Sequence, residues 1–181
     1  MIRTASILAI VILLGIDCFG QKNFLITSNA VGGVRLGMTV SQARNTLKNC
    51  RFTRGSDGEG LALIDITCPR EHIISVFAGE ENADSPINWQ RRIGFIEVFD
   101  KSFKTIDGLH PDMYLRDAEK ILGKVREILI TQTESREFVT FGKVRKGIVY
   151  RTYGGIYTRP KVTTTKYEPG SRISSIQVQK N

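Results

Sequence analysis

The chain has 181 residues, 41% of them apolar, and a formal net charge of +8 at pH 7. That length suits one ordinary domain or two small intimate ones. With two histidines in all and one apolar run, near the N-terminus, the composition argues against a histidine-rich metal centre and a multi-span membrane protein.

Residues 1–20 read as a secretory signal peptide. Arg3 supplies the positive start, residues 7–16 (ILAIVILLGI) form a short apolar run, and Cys18 and Gly20 place small residues before a cut ahead of Gln21. The run is too short for a membrane span. Asp17 stands where a lipid-carrying cysteine normally follows a small residue, which argues against lipid anchoring at Cys18. The product is thus expected to be exported, periplasmic or secreted, with no transmembrane segment. In that oxidising setting Cys50 and Cys68 are expected to form a disulfide.

Residues 33–47 (GVRLGMTVSQARNTL) return in altered form at 108–122 (GLHPDMYLRDAEKIL), 75 positions later. Val40, Ala43 and Leu47 fall on one helical face, as do Leu115, Ala118 and Leu122. Thr39 or Ser41 is expected to cap the first helix, and Asp112 the second, with Gly123 ending it. Four strand-like runs follow each helix. In the first, Ala62, Ile64 and Ile66 alternate inward, and Val139 and Phe141 take the same parity in the second. Residues 92–98 (RIGFIEV) match 172–178 (RISSIQV) after five further inserted residues.

The spacing therefore predicts an α+β protein of two pseudo-symmetric repeats. Each is a short helix packed on an antiparallel sheet of about four strands. Residues 21–100 form repeat 1, with the disulfide, and residues 101–181 form repeat 2. With no linker between them, they are expected to pack as one unit.

Charge divides unevenly between the repeats. Repeat 1 holds nine Lys or Arg and nine Asp or Glu; repeat 2 holds sixteen and eight. The basic second half points to an acidic protein or an anionic envelope polymer as partner, rather than nucleic acid in an exported protein. Its most distinctive stretch is residues 147–161, where Tyr150, Tyr153 and Tyr157 alternate with Arg151, Arg159 and Lys161. Basic groups beside aromatic faces hold anionic ligands by charge and stacking. The same residues also suit a plain strand pair joined at Gly154 and Gly155.

Ser175, Gln177 and Gln179 alternate with apolar residues and read as solvent-facing. The matching face of repeat 1 carries Phe95 and Phe99, either covered by the other repeat or left as a partner patch. No catalytic residues emerge. His72 and His110 lack chelating spacing, and no Gly-x-Ser-x-Gly elbow occurs. The acidic loop at residues 79–86, with Glu80 and Glu81, has a solvent-facing composition. No cofactor or metal is expected.

The turn-helix motif, the cysteine pair and residues 93–113 (IGFIEVFDKSFKTIDGLHPDM) resemble a group of small exported bacterial proteins of unassigned function. More remotely, the layout is similar to the β-lactamase inhibitory protein and to small outer-membrane assembly lipoproteins. Those are helix-plus-sheet modules that bind other proteins. The resemblance implies a non-enzymatic interaction protein of the cell envelope; the alternative is an envelope hydrolase with a site between the repeats.

Overall fold

The computed structural model describes residues 24–57, 60–69, 72–80, 82–131, 135–158 and 160–180. The segment read as a signal peptide lies outside these. Helix α1, Val40–Thr46, starts where Thr39 and Gln42 cap each other: Gln42 N donates to Thr39 Oγ1 (3.1 Å), and Thr39 N donates to Gln42 Oε1 (2.9 Å). Val40 and Ala43 bury its inner face. Helix α2, Leu115–Leu122, buries Leu115, Ala118 and Leu122 completely, as its 3.6-residue period requires. Gly123, at φ +79°, ends it.

Asp112 does not cap α2. The N-cap is Tyr114, with no side-chain hydrogen bond, and Asp112 gives its carboxylate to Arg172 Nη1 at 2.6 Å. Backbone from far along the chain does part of the capping instead: Leu115 N donates to Ser171 O at 3.0 Å. At α1, Val40 N likewise donates to Arg91 O at 3.0 Å.

Strands β1 (Leu25–Ile26), β2 (Ala30–Val31), β3 (Val34–Arg35) and β8 (Lys104–Thr105) make a small sheet in the order β3-β2-β1-β8. The large sheet uses β4 (Arg51–Ser56), β5 (Ala62–Cys68), β6 (His72–Phe77), β7 (Phe95–Val98), β9 (Val125–Ile130), β10 (Glu137–Phe141), β11 (Ile148–Thr152), β12 (Thr163–Thr164) and β13 (Ile173–Gln179). Its order is β12-β9-β10-β11-β13-β7-β6-β5-β4, antiparallel throughout. The molecule is thus mixed α+β, and one continuous sheet runs through both halves of the chain.

The halves join at β7 and β13. Ile96 lies opposite Val178, Glu97 opposite Gln177, and Val98 opposite Ile176. The four apolar residues face the helices and are fully buried with Ile64, Val76, Ala43 and Ala118 in one core. Removing any one large aliphatic group there is expected to cost about 2–5 kcal/mol.

The other face departs from the sequence reading. Ser175 and Gln177 are buried, not solvent-facing, together with Ser75 and Glu97. Curling of the sheet accounts for this. Arg136, just before β10, reaches Asp57, just after β4, with Nη2 to Oδ2 at 2.6 Å. Six strand steps at about 4.8 Å would hold them roughly 29 Å apart in a flat sheet. The sheet therefore bends until corner hairpins from the two halves touch, and its middle is buried on a face that carries neither helix.

The loop at residues 79–86 is also tied down. Glu80 is buried and ion-paired with Arg54, whose Nε and Nη2 donate to the carbonyls of Ser85 (2.6 Å) and Pro86 (2.7 Å). Glu81 lies outside the described residues.

Candidate functional site

The two halves bring exposed rings together beside the β7–β13 seam. Phe99 follows β7 in the first half, and Tyr153 follows β11 in the second. Each is about half exposed, at 50% and 51%. They line one groove of about 520 Å³ with Asp100, Lys101, Asp112, Arg172, Ile173 and Ser174. Arg172 forms its fixed wall. Its guanidinium lies 4.0 Å from the Tyr114 ring centroid and hydrogen-bonds both Asp112 Oδ1 and Tyr114 Oη. Asp112 is held at φ +69°, a region that non-glycine residues adopt rarely. Lys101 is exposed and has no carboxylate partner among the described residues.

The residues singled out from sequence are not gathered on one surface. Tyr150 points the opposite way, into the core, with its ring 5.7 Å from Phe141 and edge-on to it. Burial pushes its phenol up to about 12. Strand alternation then sends Arg151 to the other face, where Nη1 donates to buried Glu97 at 3.0 Å. Tyr157 is partly buried, and burial followed by the Glu137 carboxylate pushes its phenol up to about 12. Lys161 lies exposed beside β12, in a separate shallow groove with Arg126 and Lys166. Arg159 lies outside the described residues. The binding stripe thus splits, and among its described residues Tyr153 alone lines the inter-half groove.

Phe95 lies on β7 opposite Gln179 of β13, where the halves join. Phe95 stacks on Phe77 of its own half at 5.5 Å, while Phe99 stays open in the groove. Cys50 and Cys68 are disulfide-bonded.

Sequence reasoning missed one cluster. His72 Nδ1 lies 2.6 Å from Asp100 Oδ2 and 3.1 Å from Ser102 Oγ. This is not a Ser-His-Asp triad, in which serine and carboxylate occupy opposite ring nitrogens. Here both sit at the same one, and Ser102 Oγ donates to Asp100 Oδ1. The signal available was the polar run at residues 100–102 directly after a strand. His110 makes no acid–base pair among the described residues; its Nδ1 lies 2.7 Å from the Pro111 carbonyl. Among the described residues no group of three or more His, Cys, Asp or Glu side chains is placed to hold a metal ion. No helix among them is long and apolar enough to cross a membrane.

A search of solved structures finds a shared fold. The chain is similar to the uncharacterized protein yfeY from Escherichia coli. The TM-score is 0.54 over 86% of this chain and 99% of that one, at 12% sequence identity. The likeness is one of fold. No family model matches the chain, and no curated protein matches it by sequence.

Proposed function

We propose that the chain is a duplicated α+β unit serving as a non-catalytic binding protein of the cell envelope, exported through residues 1–20. Its inter-half groove takes a carboxylate-bearing glycan. The duplication rests on register. Positions 96 and 98 of the first half match 176 and 178 of the second, and they meet with partners exchanged, as a twofold axis between Glu97 and Gln177 requires. Equivalent bonds recur as well: Ile93 N to Met38 O and Ile173 N to Met113 O, both 2.9 Å. This organisation also suits the small exported two-repeat proteins that the sequence resembles.

One observation carries the binding role: two half-exposed rings, one from each half, flank Lys101 and Arg172 in a single groove. Flat rings offer stacking faces to sugar C–H groups. The guanidinium and ammonium offer donors to a carboxylate, and Asp112 accepts from hydroxyls. An acidic protein would use the cations but has no comparable need for paired rings. The hydrolase reading draws no support from the groove, where Ser174 hydrogen-bonds no base among the described residues.

Co-sedimentation with insoluble cell-wall glycan tests the reading. The wild-type protein is expected to pellet at low salt, and Phe99→Ala and Tyr153→Ala each to weaken binding about fivefold. Undiminished pelleting of both variants, or capture by acidic proteins alone, contradicts it.

A further inference from the structure

Asp100 borders the groove on one side and holds His72 on the other, where a second cavity of about 380 Å³ opens. That volume falls within the range of small-molecule sites. The walls are Phe24, Leu47, Ile74, Phe103 and the Cys50–Cys68 disulfide. Gly33 also lines it. A Cβ there would come within 3.0 Å of Leu47 Cδ2 and Thr46 Cγ2, two neighbouring wall atoms.

Thr46, Asn49 and His72 are the polar side chains of the lining, and the His72 ring is mostly buried and packed edge-on to Phe24 at 4.6 Å. Its tautomer is fixed from outside the cavity. Burial would raise the Asp100 carboxyl, but hydrogen bonds from Ser102 and His72 outweigh it and hold the group below the usual carboxylate range. Asp100 is therefore a carboxylate, and Nδ1 carries the proton that bonds it. In the neutral ring that tautomer leaves a lone pair on Nε2. It has no hydrogen-bond partner among the described residues. An unfilled acceptor beside apolar walls favours a ligand that brings a donor.

We propose that this cavity binds a small, mostly apolar molecule carrying one hydroxyl, which donates to His72 Nε2 while its hydrocarbon part packs on Phe24, Leu47 and Phe103. Phenols and short alkanols have this chemistry. A carboxylate does not: it sets acceptor against acceptor at Nε2. The cavity is distinct from the glycan groove, and Asp100 stands between the two.

The test is amide NMR on the isotope-labelled exported protein, titrated with p-cresol, toluene and 4-methylbenzoate. p-Cresol is expected to give saturable shifts at Leu47, His72 and Phe103, with toluene about tenfold weaker and the benzoate weaker still. His72→Leu should bind p-cresol and toluene equally. Should that variant not fold, Leu47→Trp, which fills the cavity from a partly exposed wall position, should abolish both. Equal binding of p-cresol and toluene to the wild-type protein overturns the inference. So do shifts confined to other residues, or p-cresol binding that survives a folded Leu47→Trp.

Discussion

Glu97 of β7 accepts a hydrogen bond from Arg151 of β11 at 3.0 Å, across the intervening strand β13, whose Ser175 donates to the same carboxylate. Three strands and both halves of the chain are thereby tied at the centre of the sheet. The Glu97 side chain is 4% exposed and that of Arg151 is 23% exposed, so the two partners are not equivalent. Removing Arg151 strands a buried charge, whereas glutamine at position 97 keeps an acceptor for Ser175 and Arg151. Arg151→Met is expected to cost about 3 kcal/mol in urea unfolding, and Glu97→Gln clearly less. The reverse order would contradict the pairing.

Tyr150 carries a buried hydroxyl with no hydrogen-bond partner among the described residues. Leaving such a group unpaired costs about 1–3 kcal/mol. Tyr150→Phe should therefore leave the thermal midpoint unchanged or raise it. A loss of more than about 1 kcal/mol would mean that the hydroxyl is satisfied in solution.

Acid should weaken the junction that holds His72. The Asp100 carboxyl is lowered in the folded protein, against about 3.9 in an unfolded chain. Its ionised form stabilises the fold above that value, and the contribution is lost as pH falls through the lower folded value. Thermal melts between pH 6 and pH 2 should show a shallower acid limb for Asp100→Asn than for the wild-type protein. Parallel limbs would remove Asp100 from the account.

The Cys50–Cys68 bond links the end of β5 to the residue before β4 across a sequence separation of 18. Closing such a loop in the unfolded chain is worth about 3 kcal/mol. The Cys50→Ser, Cys68→Ser double variant should lose about that much in urea unfolding at an unchanged fold. A loss under about 1 kcal/mol would show that the first half closes without it.

What could be read from the sequence was what local periodicity encodes. Leu115, Ala118 and Leu122 announce their helix, and Ile64 and Ile66 their buried face, because side-chain direction repeats at 3.6 or 2 residues. Asp112 was misread because the α2 terminus is satisfied by Ser171, far along the chain. Ser175 and Gln177 alternate as a half-exposed strand should, yet they are buried because Asp57 and Arg136, 79 residues apart, close the curl. Phe99 and Tyr153 were each singled out for a different patch. Their meeting in one groove depends on the β7–β13 pairing, which no local pattern specifies.

We propose that the inter-half groove grips a carboxylate-bearing glycan by rings and cations together. Titrating soluble fragments of that glycan into the wild-type and Lys101→Glu proteins, at low and at near-physiological salt, tests it most directly. Wild-type affinity is expected to fall as salt rises, and the Lys101→Glu protein to be folded, weaker at low salt and nearly salt-independent. Equal affinity of the two proteins at low salt, or wild-type binding indifferent to salt, would contradict it.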